Sequence, residues 1–575
     1  MGAERTADLW WKHAVIYCLD VETFVDSDGD GHGDLDGLLS RIDHLASMGV
    51  SCLWLMPLYP TPNRDDGYDI CDYYAVDPRL GNLGQLVEVV RTARDRGMKV
   101  IVDLVINHTS DQHPWFQDAR SSRDSKYRDF YVWSDERRDD LFDMVIFPDE
   151  EDSNWDWDDE AGQYYLHRFY AHQPDLNVAN PEVRDAFAEI IGFWLELGID
   201  GFRVDAVPYL IEIEGIRATE GDRSDATAAG GEEGEGEGEA WHGLLRDLCR
   251  FMRRRNGSSI LLGEVNLPAE EAATYFGDAG DQLSLVFSFD VNQAMWLALA
   301  RQDAGPLAAA LREQPGVHPE VHWANFARLH DEANVGRLTP SEREEVFDAF
   351  GPDEDMQIFG RGLRRRLAPM LGGDEDRIRL VHSLVLSLPG APVIYYGDEI
   401  GMGENLELPG RLAVRSTMQW TDAPDGGFGP SDGASCRRHP PSGEYSPEHV
   451  NVADQRADPG SLLNWLTGAI RIRRLIPELG DGDLEVLEVD DASVLAHCCQ
   501  IDGTRFVAVH NLAGEERRAC VGVDDAHDLH AVLRSPGLEA ERGDDELRLH
   551  VPRYGFLWLQ TPNPLQGHAE ALPKT

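Results

Sequence analysis

Short runs of consecutive apolar residues alternate, through most of the chain, with longer stretches in which apolar residues recur every three or four positions. The short runs are AVIYCLDVETF (14–24), SCLWLMPLYP (51–60), KVIVDLVINHTSD (99–111), GIDGFRVDAVPYL (198–210), SSILLGEVNLP (258–268), QLSLVFSFD (282–290), HWANFARLHDE (322–332) and GAPVIYYGDEIGM (390–402). A strand covered on both faces has no polar side to show, so each run reads as a buried parallel strand. LLSRIDHLASMGV (38–50), LGQLVEVVRTARDRGM (83–98), WHGLLRDLCRFMRRR (241–255) and SLLNWLTGAIRIRRLIP (461–477) carry the helical spacing instead. Strands alternating with amphipathic helices predict an α/β fold, a (β/α)8 TIM barrel spanning 1–108 and 180–480.

Two stretches break that rhythm. Residues 109–179 form a long aromatic and acidic excursion after the third strand, which predicts an inserted lid domain over the carboxyl ends of the strands. Its Trp and Tyr rings could stack on sugar faces, although packing the lid's own small core is the commoner use. Residues 213–240 are acidic, Gly-rich and nearly free of apolar groups, an insertion unable to offset its ordering entropy by burial and expected to be flexible. From 481 to 575 the pattern changes to short alternating segments (DLEVLEV, SVLAHCCQI, RFVAVHNL, ELRLHV, YGFLWLQ). These predict a C-terminal antiparallel β domain, a β-sandwich.

The charge balance narrows the function classes. Against 104 acidic residues stand 52 basic ones, a net charge of −52, and Lys12, Lys99, Lys126 and Lys574 are the only lysines. Such self-repulsion is tolerable where salt screens it, so the composition resembles that of a cytosolic protein from a halophile. No basic stripe exists to neutralise phosphates, which argues against nucleic acid. No apolar run approaches the length of a membrane span and no basic-then-apolar leader follows Met1, so a soluble cytoplasmic protein is expected. The eight cysteines lie scattered without paired CxxC spacing and read as small buried thiols.

Candidate chemistry sits at strand ends. The fourth run carries Arg203 and Asp205 to its end before Pro208, the fifth ends at Glu264, and the seventh at His330 and Asp331. One such carboxylate is commonly a cap or an ion-pair partner; three at neighbouring strand ends can converge on one site. Retaining cleavage of a glycosidic bond needs an ionised carboxylate nucleophile and a separate protonated acid about 5–5.5 Å apart. Arg203, two residues before Asp205, falls on the same side of the strand and could keep that Asp charged. Between the first strand and first helix, Asp26, Asp28 and Asp30 alternate with small residues as in a calcium loop, but the twelfth position is Gly37 rather than Glu. A solvated acidic turn is the alternative.

DLVINH (103–108), GFRVDAV (201–207), GEVN (263–266), HDE (330–332) and PVIYYGDEIGM (392–402) together resemble the α-amylase superfamily, glycoside hydrolase family 13. That resemblance implies Asp205 as nucleophile, Glu264 as general acid/base and Asp331 as transition-state stabiliser. It implies Asp65, Tyr68, His108, Arg203, His330 and Arg415 as the lining of the sugar pocket. QPDLN (173–177) is similar to the branch acting on short α-glucosides. RDDGYDI, NHTSDQHPWFQDAR, HRFYAHQPDLN and GLRRRLAPML resemble the trehalose synthase group of that family more closely. This implies a small α-linked disaccharide, maltose or trehalose, as substrate, isomerised through a covalent glucosyl-Asp intermediate. An α-glucosidase or another α-glucosyltransferase is the nearest alternative, and a non-catalytic carbohydrate-binding relative the alternative of another class. The same resemblance implies calcium held by Asn107, Asp175, Glu212 and the carbonyls of Tyr209 and Leu210, with a second ion expected at Asp26, Asp28, Asp30, His32 and Asp34. No organic cofactor is implied, and a homo-oligomer stays open. The chain departs from the group's pattern at Leu329 and at STMQW (416–420).

Overall fold

The computed structural model describes residues 9–138, 145–210, 239–430 and 437–562. Glu212 and almost all of the expected acidic insertion lie outside the described residues.

Eight parallel strands close a barrel in chain order: β1 (Ile16–Leu19), β2 (Cys52–Leu55), β3 (Lys99–Leu104), β4 (Gly201–Val204), β5 (Ile260–Gly263), β6 (Leu285–Phe287), β7 (His322–Phe326) and β8 (Ala391–Tyr395). Ile16 of β1 faces Cys52 of β2 on one side and Val393 of β8 on the other, which completes the ring. Every residue of β1, β2, β4, β5 and β8 is buried, as apolar runs covered on both faces require. At Gly201 a Cβ would stand 2.3 Å from the Ile260 carbonyl oxygen, so the close β4–β5 approach demands glycine there. The seventh strand is shorter than its apolar run. It stops at Phe326, leaving His330 and Asp331 on the loop that follows.

Helices around the barrel are bounded by local signals. Asp34 caps Leu35–Met48 by accepting from the Gly37 amide, and left-handed Gly49 ends it. Asn82 and Gln85 form a capping box on Leu83–Asp95. Helix Glu239–Arg255 covers β5 and helix Leu462–Arg473 follows β8.

The excursion after β3 contains helix Pro114–Ser121 and a three-stranded sheet ordered Trp133–Ser134, Gln163–Leu166, Trp155–Asp158. Most of its rings face inward. Phe116 stacks on Trp133 at 5.5 Å and meets Tyr165 edge-on, and Trp155 is buried. Among described residues of the lid, Trp157 is the large ring left exposed.

The C-terminal part has two antiparallel sheets. One has five strands, Asp483–Val486, Val494–Ile501, Thr504–Asn511, Phe556–Gln560 and His530–Arg534; the other pairs Glu546–Val551 with Arg517–Gly522 and Glu539–Arg542. Val494, Val507, Val521, Leu547 and Leu557 fill the space between them. The larger sheet meets barrel helix Glu375–Ser387. There the His510 ring bonds the Ser383 hydroxyl at 2.9 Å, His497 bonds the Ser387 carbonyl at 2.9 Å, and the two imidazoles stack at 6.1 Å.

Candidate active site

The site is built at the carboxyl ends of the strands. Within β4, Arg203 points to the barrel interior, and its guanidinium lies 5.2 Å from the Trp54 ring of β2. Its Nη1 donates to Asp103 of β3 at 2.7 Å and also to Asp205, while Nη2 donates to Glu264, beyond β5, at 2.6 Å. Asp103 is held from its other oxygen by the Trp54 indole at 2.7 Å. Ala206, just after Asp205, adopts φ +48°, a left-handed conformation that only over-determined surroundings maintain in a residue with a side chain. Its amide then donates to Glu264 Oε2 at 3.1 Å. Asp205 and Glu264 are thus fixed together through one cation and one strained turn.

Asp331 faces them from the β7 loop. Arg411 and Arg415 each approach its Oδ1 at 3.0 Å, and His330 Nε2 lies 3.2 Å from Oδ2. His330 also bonds the Tyr68 hydroxyl at 2.8 Å, and His108 Nε2 meets the Tyr68 carbonyl at 3.2 Å. Asp65 accepts from Gln173 at 2.8 Å.

One pocket gathers Asp65, Tyr68, His108, Arg203, Asp205, Glu264 and Asp331 on its wall. His330 and Arg415, expected on that wall, stand one layer behind it and are 1% and 2% exposed. Arg415 is taken up by the His330 carbonyl, Asp66 and Asp331, so it acts on the pocket through Asp331. Sequence reasoning missed Arg411, Glu332 and Asp103. Arg411 stands four residues before Arg415, at the start of the short turn Gly410–Val414, and that closeness in sequence is the signal that could have found it.

The mouth joins two distant loops. Phe147 of the lid packs on Phe359 at 4.9 Å, Arg361 Nη1 donates to the Ile146 carbonyl at 2.6 Å, and the Phe359 amide donates to Asp149 at 3.1 Å. The Arg411 guanidinium lies across both rings, at 5.0 and 5.5 Å.

The family model of the α-amylase catalytic domain matches residues 19–343 and 362–482. The chain belongs to the α-amylase family. It is 43% identical over 507 residues to a trehalose synthase of Thermus thermophilus, covering 88% of this chain and 50% of that one. It is 38% identical over 577 residues to "Trehalose synthase/amylase TreS" of Mycobacterium tuberculosis, covering 98% and 92%. The chain therefore spans about half the length of the Thermus relative but nearly all of the mycobacterial one. Among solved structures, the α-glucosyl transfer enzyme XgtA superposes with a TM-score of 0.74 at 26% identity, over 97% of this chain and 100% of that one.

The electrostatics of this α-amylase-family site separate its carboxyls. Burial lifts Glu264 to about 7 despite Arg203, with Asp205 and Asp331 adding to the rise. Burial also raises Asp205, and Arg203 opposes it. Asp331 goes the other way: burial alone would raise it, but the Arg411 and Arg415 guanidiniums hold it well below the usual range. Burial, joined by the neighbouring arginines, keeps His330 neutral, and burial pushes Asp65 up to about 7. Asp331 is thus held as an anion, whereas the raised Glu264 is suited to keep a proton at neutral pH.

Of the residues expected to hold calcium, Asn107 and Asp175 are fully buried and joined by a 3.1 Å amide–carboxylate bond. Their remaining oxygens, Asn107 Oδ1 and Asp175 Oδ2, have no hydrogen-bond partner. Buried oxygens of this kind are ligands a hard cation takes, and Arg168 Nε, 3.9 Å from Asp175 Oδ2, already supplies part of the positive charge there. The Tyr209 carbonyl accepts from Arg168 at 3.0 Å, and Leu210 ends the same turn. In the 26–34 loop, Asp26, Asp28 and Asp34 bring their carboxylate oxygens within 4.8 Å of one another. Asp30 and the His32 side chain do not join them: the Asp30 carboxylate accepts from the His32 amide at 2.8 Å, and the His32 ring turns to Glu22 at 3.0 Å. Asp26 and Asp34 are themselves engaged by the Gly29, Gly31, Ser27 and Gly37 amides, so the loop satisfies much of its own charge.

Proposed function

We propose that the protein interconverts maltose and trehalose by intramolecular transfer of a glucosyl unit with retention. The observation that carries this reading is the single guanidinium of Arg203 shared by Asp205 and Glu264, with Asp331 opposite, in a chain similar over nearly its whole length to proteins named trehalose synthase.

Asp205 Oδ attacks the anomeric carbon of the non-reducing glucose while Glu264 gives its proton to the departing O4 of the second glucose. This leaves a glucosyl ester on Asp205 and one free glucose. The freed glucose turns and presents its anomeric hydroxyl. Glu264, now ionised, removes that proton as the oxygen attacks the anomeric carbon of the glucosyl ester and displaces the Asp205 carboxylate, giving the 1,1-linked product and restoring both carboxyls. Asp331, ionised throughout, grips sugar hydroxyls as positive charge develops on the ring. Asp65 and His108 orient the transferred sugar. Hydrolysis differs only in that water attacks the ester, so the mouth formed by Phe147 and Phe359 favours transfer by retaining glucose and excluding water.

Calcium at Asn107 and Asp175, with the Tyr209 and Leu210 carbonyls and Glu212, would supply charge compensation that ties the end of β3 to the lid. It takes no part in the bond chemistry.

A proton NMR time course with maltose, and separately with trehalose, in concentrated KCl with calcium tests the reading. Interconversion with little free glucose is expected. Glucose as the sole product from maltose would make the protein a hydrolase. Asp205→Asn is expected to lose activity by orders of magnitude.

A further inference from the structure

Asp65 and its neighbour Asp66 face opposite ways. Asp65 lies on the pocket wall, whereas Asp66, at φ +51° and followed by left-handed Gly67, turns its carboxylate to the back of the site. There it is clasped by two arginines. Oδ2 accepts from Arg415 Nη1 at 2.7 Å, and Oδ1 accepts from Arg438 Nη2. Arg438 also reaches Asp20, after β1, at 3.2 Å, and Glu22 at 3.5 Å. An unbroken chain of opposite charges thus runs from Asp20 and Glu22 through Arg438, Asp66 and Arg415 to Asp331. Its members are shielded from solvent: the Asp66 side chain is 3% exposed and that of Arg438 11%.

We propose that Arg438 and Asp66 are positioning residues for Asp331, a role resting on the reading of Asp331 as the group that stabilises the transition state. Neither touches the pocket. Arg415 has to divide its donors between Asp66 and Asp331. Arg438 occupies and neutralises the second oxygen of Asp66, so Arg415 can keep Nη2 on Asp331 while Nη1 anchors it from behind. Without Arg438, Asp66 is a buried carboxylate with one partner and draws Arg415 toward itself. Asp331 then loses one of its two 3.0 Å arginine contacts and with it the orientation needed as ring charge develops. The left-handed backbone at Asp66 fits this account, since such a conformation persists where surrounding contacts over-determine it.

The test uses 4-nitrophenyl α-glucoside, so that glucosyl-enzyme formation is read whatever the acceptor. Wild-type turnover of this donor establishes the glucosyl chemistry independently; its absence would defeat the functional reading rather than this one. Arg438→Gln is expected to lower kcat by about tenfold or more with KM changed by less than about twofold, because the loss falls on the transition state. Arg438→Lys, which keeps the charge, recovers part of it. Arg438→Gln/Asp66→Asn is less impaired than the two single losses multiplied, as residues in one network are not additive. A folded Arg438→Gln protein with unchanged kcat, or fully multiplicative losses in the double variant, overturns the proposal. If Arg438→Gln does not accumulate as folded protein, Asp66→Asn alone decides: lowered kcat at near-constant KM supports the relay, and unchanged kcat refutes it.

Discussion

Arg203 Nη2 lies 2.6 Å from Glu264 Oε2 while Nη1 of the same guanidinium serves Asp205. One cation therefore sets the charge state of both groups assigned to bond breaking. It lowers each carboxyl against the burial that raises it.

Replacing Arg203 by Met removes that opposition, so both carboxyls rise. The nucleophile then stays protonated to higher pH, moving the acid limb of activity upward, and the acid keeps its proton longer, moving the basic limb the same way. The whole kcat/KM profile shifts toward alkali, and kcat drops on the order of a hundredfold or more. A pH profile of folded Arg203→Met that kept its wild-type position would count against the shared-cation account.

Glu264, raised to about 7, predicts the wild-type basic limb. Activity on maltose declines as pH passes upward through about 7, because the general acid loses the proton it must deliver. Glu264→Gln abolishes turnover of maltose. It still forms the glucosyl-enzyme with a donor such as glucosyl fluoride, whose leaving group needs no proton, and mass spectrometry then finds the adduct on Asp205.

The mouth between Phe147 and Phe359 is expected to govern product ratio more than rate. Phe359→Ala, or Arg361→Gln, which removes the bond to the Ile146 carbonyl, admits water to the ester. The fraction of maltose released as glucose should rise several-fold while total consumption changes little. NMR integration of glucose against trehalose gives the ratio; an unchanged ratio in both variants would place the barrier to water elsewhere.

His497 and His510, buried where the C-terminal sheet meets the barrel, titrate below the ordinary imidazole value. Burial holds His497 at about 4 and places His510 well below its usual range. Both are neutral in the fold and become charged on unfolding. Their contribution is intact above about pH 6.5 and is lost as pH falls toward 4, by up to about 1.4 kcal/mol per pH unit for each ring. The thermal midpoint of His510→Gln should fall less between pH 7 and 5 than that of the wild type, as read by calorimetry.

How far the sequence could be read depended on burial. β1, β2, β5 and β8 were legible because both faces are covered and their side chains are apolar throughout. In the C-terminal part, Glu539–Arg542 is wholly exposed and His530–Arg534 nearly so; with no buried face there is no alternation to detect. Asp103 escaped notice because a charged residue inside an apolar run looks like an interruption until Arg203 and Trp54 are seen beside it. Arg411 lies in the short turn Gly410–Val414, with no strand to point it toward the site. The meeting of Phe147 with Phe359 is a tertiary contact with no local signature in either segment.

Barrel closure has a temporal consequence. β1 is sealed by β8 through Ile16 and Val393, and Asp331 is oriented by Arg411 and Arg415. During synthesis, a chain that has passed Asp205, Glu264 and even Asp331 still has an open barrel and an Asp331 with neither of these arginines. Catalytic competence should therefore arrive abruptly, only after the ribosome has released the segment beyond Arg415.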